Sequence, residues 1–223
     1  TGKAVEKACQ KLIARILEIA SGMLEAPVEE LVFASDHVEW PKEQKSVSLE
    51  DIGTKSMCGN GCALEVTESN TSPTSPPPFM AGAVEIELDK ETGHVEILDY
   101  KAVVDCGTVV NPNLARVQTE GGIAQGIGMA LYEDIIYSEK GKNYSNSFMQ
   151  YKIPSRLDVG EIRVEFESSY EPTGPFGAKS IGEIVINTPS PAISNAVQNA
   201  VGVIVRELPI TAEKVYKGMA EKE

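Results

Sequence analysis

Apolar residues recur at spacings of three and four between Lys3 and Leu24: Val5, Ala8, Leu12, Ile13, Ile16, Leu17, Ile19 and Ala20. That period predicts an amphipathic helix, closed by Pro27. Leu31-Val32-Phe33-Ala34 and Val38-Glu39-Trp40 predict a short hairpin around Ser35-Asp36. Ser48-Leu49-Glu50-Asp51-Ile52 opens a short helix with Ser48 as its cap. From about Gly59 to Pro78 the chain turns polar, and Ser75-Pro76-Pro77-Pro78 is stiff and extended. This stretch separates a helix-plus-hairpin lobe over residues 1–75 from a second lobe over 76–223.

The second lobe opens with strict alternation. Ala81-Gly82-Ala83-Val84-Glu85-Ile86-Glu87-Leu88 reads as a strand, Asp89 to Gly93 as a turn with Gly93 at positive φ, and His94 through Val104 as the returning strand. Leu114 to Glu133 has helical periodicity despite Gly121, Gly122, Gly126 and Gly128. Each interior glycine costs about 1 kcal/mol against alanine, so something must approach that backbone closely. Tight packing and a cofactor lying across the N-terminal turns, where free amides attract anions, both satisfy that condition. Glu139 to Lys142 reads as a turn, Ile162 to Glu167 as a strand, Ala192 to Leu208 as a long apolar helix and Thr211 to Val215 as a short one. The expected class is α+β, with mixed sheets and packed helices.

Charge narrows the partners. A net charge of -13 on 223 residues argues against nucleic acid and anionic membranes. No apolar run is long enough for a membrane span. Of four cysteines, Cys9 falls on the apolar face of the first helix and Cys106 at a strand end, as core thiols of a reduced, cytoplasmic compartment would. Cys58-Gly-Asn-Gly-Cys62 lacks the two-residue spacing of metal knuckles and redox pairs, and reads as a flexible loop. His37 and His94, the only histidines, complete no metal cluster.

The chemistry concentrates in Gly174-Pro175-Phe176-Gly177-Ala178-Lys179-Ser180-Ile181-Gly182-Glu183. Three glycines and a proline exclude an ordinary helix or strand. The run ends on one carboxylate, followed by Ile184-Val185-Ile186 and a proline-led apolar helix. A shaped loop that delivers one acid to a fixed point is how a general base is presented. On residue type alone, Glu183 is equally a solvated loop glutamate or a charge at a helix start.

This loop resembles the GPxGAKxxGE-type loop of the molybdenum hydroxylases, the xanthine dehydrogenase family. Three further motifs stand in the family's order: Asp105-Cys106-Gly107-Thr108-Val109-Val110-Asn111-Pro112, Gln118-Thr119-Glu120-Gly121-Gly122-Ile123-Ala124-Gln125-Gly126-Ile127-Gly128, and Tyr151-Lys152-Ile153-Pro154. The match runs from about Phe79 to Pro209. Isoleucine follows Glu183 where the family commonly has proline, and Ser180 stands where many relatives have glycine.

The resemblance implies a set of roles. Glu183 matches the base that takes the proton of the hydroxyl or water on molybdenum. Gln118 matches the glutamine that hydrogen-bonds the pterin, and Ala178, Lys179 and Ser180 lie beside the cofactor. Lys179 also suits a structural carboxylate. The pterin holds the metal, so no protein ligand to molybdenum is expected. The reaction implied is water-derived hydroxylation of an electron-poor carbon in a purine, N-heterocycle or aldehyde. Electrons would then pass to 2Fe-2S and FAD centres on partner subunits or domains. The chain begins Thr1-Gly2 without methionine. The resemblance makes it the C-terminal part of a larger subunit, cut by design, processing or gene splitting. It would share molybdopterin with an upstream segment and be inactive alone. The alternative is a non-catalytic assembly or binding subunit that keeps the fold; an intact Glu183 loop favours the enzyme.

Overall fold

The computed structural model describes residues 1–58 and 63–221, and the chain divides into two compact units, Thr1–Pro73 and Thr74–Glu223. In the first unit, helix α1 (Gly2–Leu24) ends where Glu25 takes the left-handed conformation and its N–H bonds Ser21 O. Strands β1 (Val32–Phe33), β2 (His37–Trp40) and β3 (Lys45–Ser48) form an antiparallel sheet in that order. The hairpin is therefore extended by a third strand that its sequence, Lys45-Ser46-Val47-Ser48, does not announce: a single apolar residue faces the core. Helix α2 (Leu49–Cys58) is capped by Ser48, whose Oγ accepts from Asp51 N at 3.1 Å. Ile16, Ala20, Leu31, Val38, Val47 and Ile52 fill the core.

Cys9 is exposed, which corrects the expectation of a core thiol: the buried stripe of α1 runs through Ile16 and Ala20, about two and three turns further on. Cys58 is also exposed. Cys62, and with it the Cys58–Cys62 loop, lies outside the described residues.

The second unit is built on strands β4 (Phe79–Leu88), β5 (Val95–Asp105) and β6 (Glu161–Phe166). β4 and β5 pair antiparallel, with a bulge between Glu85 and Ile86. β6 joins β5 in parallel, so the sheet is mixed. The hairpin turn sets Gly93 at φ 76°, where a Cβ would lie 2.3 Å from Ala212 O, so only glycine fits. Along β5, Val95, Ile97, Tyr100, Ala102 and Val104 are buried while Glu96, Leu98, Lys101 and Val103 are exposed.

The buried face packs on α3 (Pro112–Leu131), α4 (Pro189–Val201) and α5 (Ala212–Ala220) through Ile123, Ile127, Ala130, Ile193, Val197 and Val215. These elements confirm the α+β class with mixed sheets and packed helices. The expected long helix over 192–208 is corrected. α4 begins three residues earlier, at Pro189, and stops at Val201 because Gly202 adopts φ 73° and caps it. The apolar residues beyond, Val203 and Val205, pack without helical backbone.

Candidate active site

β5 delivers Asp105 to the sheet end, and the chain turns away through Gly107 at φ 71°. Asn111 then starts α3: its Oδ1 accepts from Leu114 N at 3.1 Å, and Pro112 fills the first helical position, where no N–H is needed. From the far side, the 174–183 loop is laid against this corner. Gly107 pairs with Ala178 in an antiparallel bridge, Thr108 N donates to Gly177 O at 2.9 Å, and Lys179 N donates to Cys106 O at 2.7 Å. Close approach explains the glycines. A Cβ on Gly107 would lie 2.3 Å from Gly177 O, and one on Gly174 would lie 1.9 Å from Ala178 O.

Side chains extend the join. Lys179 Nζ donates to Asp105 Oδ2 at 2.7 Å, with the lysine side chain 8% exposed. Asp105 Oδ1 accepts from Ser169 Oγ at 2.6 Å and from Gly107 N at 2.9 Å. These donors, Lys179 first, pull the Asp105 carboxyl down to about 2. Burial pushes the neighbouring Cys106 thiol up, away from reactive thiolate character.

The loop's tip is held from α3. Gln118 Nε2 donates to Gly182 O at 3.0 Å. Glu183 then enters a 3₁₀ turn, Ile184–Ile186, whose Val185 is fully buried. Val185 sits where a Cβ on Gly122 would be, 2.2 Å from its Cγ2; a Cβ on Gly126 would meet Pro189 at 2.6 Å. Gly121 differs: a Cβ there meets nothing within 4 Å. The glycines of α3 therefore serve two ends. Gly122 and Gly126 let the segment after Glu183 press onto the helix, and Gly121 leaves space.

That space is a cavity of about 650 Å³ lined by Gln118, Gly121, Gln125, Gly182, Glu183 and Asn187, among others. Gln118, Gly121 and Gln125 stand at i, i+3 and i+7, one stripe of the helix. Gln118 and Gly182 also form a wall of a second cavity of about 480 Å³, lined by Val109, Val110, Leu114, Ala178, Lys179 and Ile181. Of the residues singled out from sequence, Gln118 and Glu183 share the first cavity, while Ala178 and Lys179 line the second. Ser180 is exposed and lines neither. Sequence reasoning missed Gln125 and Asn187. The seven-residue step from Gln118 to Gln125 was a readable signal; Asn187 reaches the cavity only through the 3₁₀ turn.

Among the described residues no group of three or more His, Cys, Asp and Glu could hold a metal. The cavity's polar side chains are amides and one carboxylate. Amides present both donors and acceptors, as a pterin edge requires, and Gly121 and Gly182 have open space where a Cβ would stand. The residues present fit a pterin-held metal.

The pattern of the molybdopterin cofactor-binding domain family matches residues 1–160. The chain is 34% identical, over 98% of its length, to probable hypoxanthine oxidase XdhD of Escherichia coli K12, and covers 23% of that protein. It is 33% identical over 97% of its length to the nicotine 6-hydroxylase large subunit of Paenarthrobacter nicotinovorans, covering 28% of it. Its fold superposes on quinoline 2-oxidoreductase of Pseudomonas putida 86 with a TM-score of 0.80 at 27% identity, over 99% of this chain and 29% of that one. The chain belongs to the molybdenum hydroxylase family, within its molybdopterin cofactor-binding domain. It spans about a quarter of the length of the curated relatives it matches. The Gly174–Glu183 loop lies beyond the matched family pattern but inside the span shared with these relatives.

Proposed function

We propose that this chain supplies one wall of the active site of a molybdenum hydroxylase, an oxidoreductase that hydroxylates an electron-poor carbon with oxygen from water. The observation that carries the reading is the shared cavity. A loop pinned at Lys179 and again at Gly182 brings Glu183 to the same space as the Gln118 amide and the bare backbone of Gly121.

The molybdenum–molybdopterin cofactor, when bound, supplies the electrophilic metal and the two-electron sink. Gln118 gives one N–H to Gly182 and keeps a carbonyl oxygen and a second N–H for the pterin. Ala178 borders the loop side, where Ser180 stands exposed and Lys179 turns its ammonium to Asp105, while Gln125 on α3 and Asn187 after the 3₁₀ turn add amides. The Glu183 carboxylate accepts the proton released as water-derived oxygen is activated, contributing about 10²–10⁴-fold. Glu183 is exposed here, in keeping with a cavity completed by an upstream molybdopterin-binding segment. Iron–sulfur and FAD centres on partner subunits would receive the electrons. Purines, N-heterocycles and aldehydes are the substrate classes, the first two by analogy with the names of the relatives.

Glu183→Gln tests the assignment in the full enzyme: it keeps size and most hydrogen bonds but cannot take the proton. Molybdenum content stays at the native level, while reduction by hypoxanthine, nicotine or benzaldehyde, whichever the native enzyme oxidises, falls by about 10²–10⁴-fold. A native rate of reduction in this variant removes Glu183 from the chemistry.

A further inference from the structure

The ion pair between Asp105 and Lys179 joins two segments 74 residues apart in sequence, and nothing in the chemistry above requires it. Its setting is specific. The lysine side chain is almost fully enclosed and its ammonium also lies 5.3 Å from the Phe79 ring centroid. The carboxylate takes donors on both oxygens, from Lys179, Ser169 and the Gly107 backbone. Immediately beside it run the three backbone joins of Gly107 with Ala178, Thr108 with Gly177, and Lys179 with Cys106. Three residues past Lys179 comes the next anchor, Gly182 O on Gln118. Ser180 and Ile181 bridge the two anchors, and Glu183 follows directly.

We propose that Asp105 and Lys179 are positioning residues: their ion pair fixes the foot of the loop, and so the place at which Glu183 presents its carboxylate. This rests on the reading of Glu183 as the base. Lys179 then acts through the backbone it anchors, and its ammonium faces Asp105 instead of the cofactor. A charged pair suits the task because a buried lysine that loses its partner cannot stay where it is, so the loop has one register. Reacting groups displaced by about 1 Å lose about 10²-fold in rate.

The test compares Lys179→Met, the double variant Asp105→Asn with Lys179→Met, the charge exchange Asp105→Lys with Lys179→Asp, and Glu183→Gln. Amide hydrogen exchange is measured on the 223-residue chain, and steady-state kinetics on the full enzyme with whichever of hypoxanthine, nicotine or benzaldehyde it oxidises. In Lys179→Met the amides of Thr108, Ala178 and the substituted residue exchange at least about tenfold faster while those of β4 and β5 keep native protection. Its kcat falls about 10- to 100-fold, with KM within about twofold and molybdenum content native. The double variant, which leaves no unpaired charge, keeps the fold and shows the same kcat loss; the charge exchange recovers part of it. Native kcat in the folded double variant overturns the proposal. So does a loss confined to KM or to molybdenum content, which would make Lys179 a cofactor contact. Unfolding of every variant, with protection lost across the sheet, also overturns it in favour of a purely structural pair. If Glu183→Gln turns over normally while loop exchange still rises in Lys179→Met, the base assignment fails and the clamp stands as loop anchoring alone.

Discussion

Two neighbouring glycines in α3 separate packing from function. Gly121→Ala puts a methyl group where nothing lies within 4 Å. An alanine in a helix interior is favoured over glycine by about 1 kcal/mol, so the chain gains up to that amount. Gly122→Ala gains the same propensity but drives its Cβ to 2.2 Å from Val185 Cγ2 and 3.0 Å from Val185 Cβ. Val185 is fully buried and cannot swing outward, so overpacking costs about 1–3 kcal/mol. The net effect runs from neutral to a loss of about 2 kcal/mol, and the two variants differ by about 1–3 kcal/mol. For a unit the size of Thr74–Glu223 that is a gap in melting temperature of about 2–12 °C. Thermal melts by circular dichroism on the chain measure it. The functional effects run differently. The Gly121 methyl protrudes into the cavity of Gln118 and Glu183, so in the full enzyme Gly121→Ala lowers molybdenum content despite the more stable chain. If Gly121→Ala melts as low as Gly122→Ala, the division of the glycines into open and packed is wrong. If it melts higher and loads molybdenum normally, the cavity does not face the cofactor.

Gln118→Ala removes the bond to Gly182 O and the amide face offered to the pterin. A loss of about 0.5–1.5 kcal/mol follows for this exposed bond, read as lower molybdenum content in the full enzyme, and native content would make Gln118 a loop strut only. Asp105 carries a pH signature. Its folded carboxyl is held at about 2, below its unfolded value, so its stabilisation is complete above about pH 4 and disappears as pH falls through 2. Allowing for water's partial access, that contribution is on the order of 1–2 kcal/mol. Urea midpoints for the native chain and Asp105→Asn should therefore differ at pH 6 and converge toward pH 2.5, and a constant difference across that range would refute the assignment. Gly202→Ala forces a side chain into φ 73° at the end of α4, costing about 1–2 kcal/mol, and an unchanged melt would show that the cap is not strained.

Local physics made much of this protein legible in its sequence. Period-two alternation found β4 and β5, the Asp89–Gly93 turn placed a glycine at positive φ, and Ser48 and Thr211 marked helix starts that the structure caps with their side chains. These signals act over a few residues and hold wherever the segment packs. The glycine-rich run ending in Glu183 likewise announced a shaped loop, because no regular element tolerates it. What the sequence left open depends on distant partners. Apolar periodicity continued past Val201, but the backbone of Gly202 ended the helix. Cys9 followed the apolar stripe of α1, yet the core reaches only as far as Ile16 and Ala20. Four glycines in one helix looked alike until Val185 and Pro189 arrived against Gly122 and Gly126 and nothing arrived against Gly121. Lys179 suited a structural carboxylate from its sequence, but which one was decided only when the fold brought Asp105 to 2.7 Å across 74 residues. Chain connectivity carries no record of such pairings; they exist once β5 and the loop meet at the end of the sheet.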